Sequence, residues 1–169
     1  DSDLEELLEI TDHIVFNSER QLRKHGARCR EAGISIGLRI NPQCSTQGDH
    51  ALYDPCAPGS RFGVTLDKIP NDLLDLVDGL HFHTLCEQGS DDLETTLKAV
   101  EAQFGSYLHE VKWLNMGGGH HITREDYDVD LLISEIKRIR ETYNLEVYIE
   151  PGEAIALNAG YLATEVLDI

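Results

Sequence analysis

Basic residues are scarce in this chain. Its 169 residues include 14 Lys and Arg against 31 Asp and Glu, which gives a formal net charge of −17. Proteins that bind nucleic acid need a basic face, so we expect no nucleic-acid partner. The excess of acid is compatible with a cationic ligand, although it also serves solubility. The length allows one sizeable core.

Cysteine pairs and long apolar runs are also lacking. The four cysteines are too few and too dispersed for a disulfide framework or a C-x-x-C metal site (Cys29, Cys44, Cys56, Cys86). No apolar run has the length of a membrane span, and residues 1–6 are acidic where a signal peptide is basic and then apolar. We therefore expect free thiols, no membrane association and a cytoplasmic location.

The periodicity of the chain alternates between short apolar runs and helical patterns. Strand centres fall near residues 15, 37, 82, 114 and 148, and helices are predicted over 1–12, 18–32, 65–77, 90–108 and 123–143. This βαβαβαβαβ order predicts a parallel α/β sheet with right-handed crossovers. Two architectures remain, an open doubly wound sheet and part of a (β/α)₈ barrel.

The candidate functional residues come at the carboxyl ends of several strands. They are Arg39 and Asn41, His83, Gly117–Gly119 and Glu150. Barrel enzymes place their chemistry at this rim, whereas an open sheet concentrates ligand groups at one switch point. The distribution favours a partial barrel of about five βα units, because five strands cannot close an eight-stranded barrel. The long segment 42–61, which is rich in proline, is predicted to be an ordered active-site loop.

The glycine run Gly117–Gly119 follows an apolar strand. Consecutive backbone N–H groups in such a loop form a nest for an anion, usually phosphate, although glycines also serve tight turns. Glu150 ends the last strand, where its carboxylate could accept a hydrogen bond from a protonated ring nitrogen or from turn N–H groups.

His81 and His83 share one face of their strand. A metal pair is disfavoured because no third ligand follows at a suitable spacing, which leaves a ring stacked on a planar ligand or a satisfied core histidine. Arg39 is explained by an ion pair or by an anion contact. Cys86 has no neighbouring base to activate it, and Glu87 is a substrate contact or ordinary loop polarity.

Taken together, several motifs resemble one family. The chain resembles the carboxynorspermidine decarboxylases, a branch of the pyridoxal-phosphate-dependent decarboxylases with an alanine-racemase-like barrel that also includes diaminopimelate and ornithine decarboxylases. The resemblance covers the whole chain and rests on Tyr53–Cys56, Ser60–Gly63, His81–Gln88, Asn115–His121 and Glu150–Glu153.

The resemblance implies roles for residues of this chain. The strands correspond to the fourth to eighth of the barrel. Pyridoxal 5′-phosphate would be bound by His83 against its ring, by Glu150 at its ring nitrogen and by the glycine run at its phosphate, with Cys86 and Gly152 nearby. Glu153, which replaces an arginine common in relatives, would contact a polyamine-type substrate. The other implied substrate contacts are Glu87 and Arg61.

The resemblance also implies what the 169 residues lack. The Schiff-base lysine is expected upstream of Asp1, so no catalytic residue is assigned here, and none of the five lysines stands in a matching motif (Lys24, Lys68, Lys98, Lys112, Lys137). Residues 1–158 are expected to be the partial barrel. Residues 159–169 are expected to begin a C-terminal β domain, which would complete the site across a homodimer.

We therefore expect an internal fragment that is inactive alone. Two other readings stay open. The chain could come from a diaminopimelate- or ornithine-type decarboxylase, or from a non-catalytic regulatory homologue.

Overall fold

The computed structural model describes residues 3–48 and 54–168. Five strands alternate with helices. The strands are β1 His13–Phe16, β2 Ser35–Arg39, β3 Gly79–His81, β4 Trp113–Asn115 and β5 Glu146–Tyr148. The helices are α1 Leu4–Ile10, α2 Glu19–Glu31, α3 Leu73–Leu76, α4 Ser90–Leu108, α5 Val129–Tyr143 and α6 Gly152–Ala156, with a 3₁₀ turn at Leu66–Lys68.

The five strands form one parallel sheet whose spatial order, β1-β2-β3-β4-β5, is the order of the sequence. Each strand pairs with the next along the chain. In this register Arg39 lies opposite His81, and His81 lies opposite Asn115. A doubly wound sheet reverses direction at a switch point, whereas barrel strands continue in one direction. The predicted partial barrel is therefore confirmed over the open doubly wound alternative.

The two faces of the sheet have different functions. Leu38, Leu80 and Leu114 point to the helical side, where each is fully buried in the main core. The opposite face is the barrel interior. There the Trp113 indole lies across Gly37 and Gly79, and a Cβ at either glycine would come within 2.3 Å of the ring. Its Nε1 donates to Ser35 Oγ at 2.9 Å, so the indole fills the amino-terminal end of the interior.

Two predicted helix boundaries were wrong. The last long helix begins at Val129, after Asp128 accepts a hydrogen bond from Leu131 N at 2.8 Å, and not at the predicted Thr123. Both residue types cap helices, and the one nearer the packed apolar stripe is used. The helix predicted over 65–77 is split into the 3₁₀ turn and α3, because Pro70 separates them.

The predicted loop and tail have few regular elements. Residues 41–48 and 54–63 contain no helix or strand, and Tyr53 lies outside the described residues. Residues 160–168 are exposed and contain no helix or strand, so the C-terminal β domain stays a prediction. In the described part of the chain, no helix combines the length and the apolar character needed to cross a bilayer.

Candidate active site at the carboxyl edge of the sheet

The carboxyl ends of β3, β4 and β5 bring His83, the glycine run and Glu150 to one place. All five strands run in the same direction, so the residues that follow them lie at the same edge. Glu150 N donates to Gly117 O at 2.8 Å, and Gly118 N donates to His83 Nδ1 at 3.4 Å. These bonds join the three segments into one rim.

The Glu150 carboxylate turns back toward the barrel interior. Its Oε1 accepts a hydrogen bond from Asn115 Nδ2 at 2.8 Å and lies 3.7 Å from His81 Nε2. The side chain keeps 49% of its surface exposed. One oxygen is therefore held by protein groups, and the carboxylate remains accessible from the rim.

His83 is half-buried beside Arg39. The guanidinium donates from Nη2 to the His83 carbonyl oxygen at 3.0 Å and lies 4.8 Å from the Phe62 ring centroid. Burial lowers the pKa of His83, and the positive charge of Arg39 adds to the shift. Burial also lowers the pKa of Arg39. The His83 ring is therefore neutral near pH 7.

The glycine run is packed tightly between its neighbours. Gly117 has φ +70°, and a Cβ there would lie 2.4 Å from Phe82 O; at Gly118 a Cβ would lie 2.7 Å from Glu150 O. Close backbone packing alone thus requires glycine. Among the described residues, Gly119 N–H has no acceptor, which leaves one donor of the predicted anion nest open.

The fold supplies a third group to the histidine pair. Ligand atoms of His81, His83 and Glu150 all lie within 4.8 Å of one another. The sequence argument that no third ligand accompanies the two histidines was therefore wrong, because it considered only neighbours along the chain. The donor set also suits a cationic ring nitrogen, since Glu150 is the only acid among the three.

A second cluster lies on the same rim. Ligand atoms of Glu87, His121 and Glu153 lie within 4.8 Å of one another, with His121 Nε2 3.6 Å from Glu153 Oε1. Glu87 adopts a left-handed φ of +53°. Gln88 fixes the adjoining loop, because its N–H donates to Gly119 O and its carbonyl accepts from His121 N. Two predicted substrate contacts are thus brought together.

The remaining predicted residues are placed differently. Cys86 is exposed and lines a cleft of about 590 Å³ beside Glu87 and Arg124. Gly152 begins α6, and a Cβ there would meet no atom within 4 Å. Arg61 is exposed near Phe62 and makes no hydrogen bond or ion pair with the other candidates in the described residues. The roles of these three stay predictions.

The sequence pattern predicted no role for Asn115 and left His81 as either a ring stacked on a planar ligand or a satisfied core histidine. Asn115 donates to Glu150 and also accepts from Gly117 N at 2.8 Å. His81 is 7% exposed beneath the carboxylate. The sequence signal that could have predicted their positions is the alternation of side chains along β3 and β4, which puts both residues on the interior face with Glu150.

Comparison with known proteins gives relatives across the full chain, although no family profile matches it. A carboxynorspermidine/carboxyspermidine decarboxylase of Campylobacter jejuni is 40% identical over 169 residues, which are 100% of this chain and 44% of that protein. A carboxyaminopropylagmatine decarboxylase of Synechocystis is 38% identical over 99% of this chain and 43% of that protein. The chain thus spans less than half the length of these relatives.

A solved structure gives the same result. The crystal structure of the Campylobacter jejuni carboxynorspermidine decarboxylase in complex with norspermidine superposes with a TM-score of 0.79 at 40% identity. The superposition covers 89% of this chain and 38% of that one. The resemblance predicted from the motifs is confirmed: along its whole length, the chain is homologous to the barrel segment of the carboxynorspermidine/carboxyspermidine decarboxylases.

Proposed function

We propose that the whole protein containing this chain is a pyridoxal-phosphate-dependent decarboxylase in polyamine biosynthesis. Its substrates would be carboxynorspermidine and carboxyspermidine, and its products norspermidine and spermidine. The observation that carries the proposal is the convergence of His83, the glycine run and Glu150 at one edge of the sheet, in a chain 40% identical to such an enzyme.

The residues present fit the cofactor. Glu150 offers an accessible carboxylate for the ring nitrogen, and a carboxylate beside that nitrogen favours its protonated form. His83 offers a neutral ring at the same rim. The open N–H of Gly119 suits a phosphate oxygen, and Cys86 lies beside it on the loop between β3 and α4, where a Cβ at Gly119 would lie 2.8 Å from Cys86 N. When bound, the cofactor supplies an electron sink for the charge left as CO₂ departs.

The second cluster fits a cationic substrate. Glu87 and Glu153 place two carboxylates around His121 on the rim, and the chain as a whole carries a net charge of −17. Carboxylates bind ammonium groups through charge-assisted hydrogen bonds, which the amines of a polyamine supply. We assign these two acids to the amino groups of the substrate.

The lysine that attaches the cofactor would come from outside these 169 residues. Lys98 pairs with Glu94 at 2.8 Å on α4, and Lys112 pairs with Asp78 at 2.7 Å at the opposite end of the sheet. Neither reaches the carboxyl edge. The homodimer and the cytoplasmic location implied by the resemblance stay predictions.

The test is CO₂ release by the full-length protein after loading with pyridoxal phosphate. Carboxynorspermidine, carboxyspermidine, carboxyaminopropylagmatine and diaminopimelate should be compared at equal concentration. We expect release from the first two, and we include the third because the Synechocystis relative is nearly as similar. No release from any of the three carboxylated polyamines would refute the activity. Equal turnover of diaminopimelate would refute the substrate assignment.

A further inference from the structure

Glu150 is held by side chains from two other strands. The strand register puts His81 opposite Asn115, so the two side chains project side by side into the barrel interior. Asn115 Nδ2 donates to Glu150 Oε1 at 2.8 Å, and His81 Nε2 lies 3.7 Å from the same oxygen, beyond hydrogen-bond distance. The second oxygen has no hydrogen bond among the described residues. The carboxylate is therefore oriented by contacts on one side only.

Asn115 connects this carboxylate to the glycine run. Its amide nitrogen donates to Glu150, and its amide oxygen accepts from Gly117 N at 2.8 Å. Because the two ends of the amide have opposite hydrogen-bonding character, the side chain has one orientation that satisfies both partners. Glu150 N also donates to Gly117 O at 2.8 Å. A shift of the acid would thus shift the glycine run.

His81 contributes a buried, neutral ring beside the carboxylate. It is 7% exposed, and burial lowers its pKa to about 4, with the charge of Arg39 acting in the same direction and that of Glu150 opposing it. A neutral imidazole has one N–H group, and a carboxylate can only accept. Within residues 3–48 and 54–168, its Nδ1 is buried without a hydrogen-bond partner, while Nε2 faces Glu150. A proton on Nε2 would therefore face the carboxylate, whereas a proton on Nδ1 would face no acceptor among the described residues.

We propose that His81 and Asn115 are positioning residues that together fix the Glu150 carboxylate so that its second oxygen is directed at the cofactor ring nitrogen. This inference rests on the proposed function. It gives a role to a buried histidine whose Nδ1 has no hydrogen-bond partner in the described part of the chain. It also explains why the first residue of the histidine pair is not at the rim.

The direct test reads the proton without the reaction. Heteronuclear NMR of the full-length protein without cofactor, with labelled histidine, reports which ring nitrogen of His81 is protonated. We expect the proton on Nε2, and we expect the Glu150→Ala variant to change the Nε2 resonance. A proton on Nδ1, or a resonance that does not respond to Glu150→Ala, would overturn the contact.

Kinetics test the consequence. In the loaded full-length enzyme, His81→Phe and Asn115→Leu should each lower kcat by about 10- to 100-fold with KM nearly unchanged, the range typical of groups that orient a reacting residue. His81→Gln retains an amide donor at a similar reach and should recover most of kcat. If His81→Phe does not fold, the Gln variant and the NMR result decide. Equal loss in His81→Gln and His81→Phe would refute a donor role.

The two proposals can fail separately. If Glu150→Gln retains full activity, the cofactor role of Glu150 in the proposed function is wrong, whatever the protonation of His81. If Glu150→Gln is impaired while His81→Phe and Asn115→Leu remain fully active, the proposed function stands and the positioning role is refuted.

Discussion

Buried His81 makes the stability of the fold depend on pH. The pKa of its imidazole is lowered from 6.5 to about 4 in the folded state, chiefly by burial. The unfolded chain therefore takes up the proton at a higher pH than the folded chain. The contribution is fully present above about pH 6.5, is lost progressively as the pH falls, and is gone below about pH 4.

The magnitude follows from the shift. A shift of about 2.5 pKa units at about 1.36 kcal/mol per unit corresponds to about 3 kcal/mol, most of it lost by about pH 4.5. His83 and His120 also have pKa values lowered by burial, so they contribute slopes of the same sign. A single substitution is needed to isolate His81.

The assay is urea unfolding of the protein and of His81→Gln across this pH range. The variant should lose stability on acidification by about 2 to 3 kcal/mol less than the unsubstituted protein. His109→Gln is the matched control, because it makes the same substitution at an exposed position after α4. If the free energy of unfolding changes with pH equally in the protein and in His81→Gln, the burial argument is refuted.

Two further stability predictions concern backbone packing and an ion network. Gly117→Ala should cost more than about 2 kcal/mol, because a Cβ at φ +70° would meet a backbone carbonyl oxygen at 2.4 Å, whereas Gly152→Ala should cost less than about 0.5 kcal/mol. Arg138→Leu should cost about 1 to 3 kcal/mol, since it leaves Glu101 and Glu135 adjacent without their shared guanidinium at 2.7–2.8 Å. Urea denaturation measures the free energy of unfolding of all three variants. The packing argument would be contradicted if Gly117→Ala lost no more stability than Gly152→Ala. The ion-network argument would be contradicted if Arg138→Leu were as stable as the unsubstituted protein.

The sheet was predictable because its signal is local. Compact apolar runs such as Ile14–Phe16 mark the strands, and their alternation with helices fixes parallel pairing. Helix starts were less predictable, since Thr123 and Asp128 are both capping types and tertiary packing selects between them. The tail after Gly160 carries a strand-like pattern, but extended chain becomes a strand only when it has a partner.

The site was predicted as a set of positions, and its contacts were not. Chain order puts His83 and Glu150 at the same edge, which alternation of strands and helices is enough to establish. That Glu150 turns inward to Asn115 depends on side-chain rotamers, which spacing does not encode. The cluster of Glu87, His121 and Glu153 joins two loops and the first turn of α6, so no pattern along the chain indicates it.

The central claim is that the Glu150 carboxylate supports the cofactor ring nitrogen. It is tested most directly by comparing Glu150→Gln with Glu146→Gln in the loaded full-length enzyme. Glu146 begins β5, the strand that Glu150 follows, and it accepts a hydrogen bond from Tyr148 OH at 2.7 Å. We predict that Glu150→Gln lowers kcat for carboxynorspermidine by about 100-fold or more, with a much smaller change in cofactor Kd, while Glu146→Gln retains activity. Equal kcat values for the two variants would contradict the account.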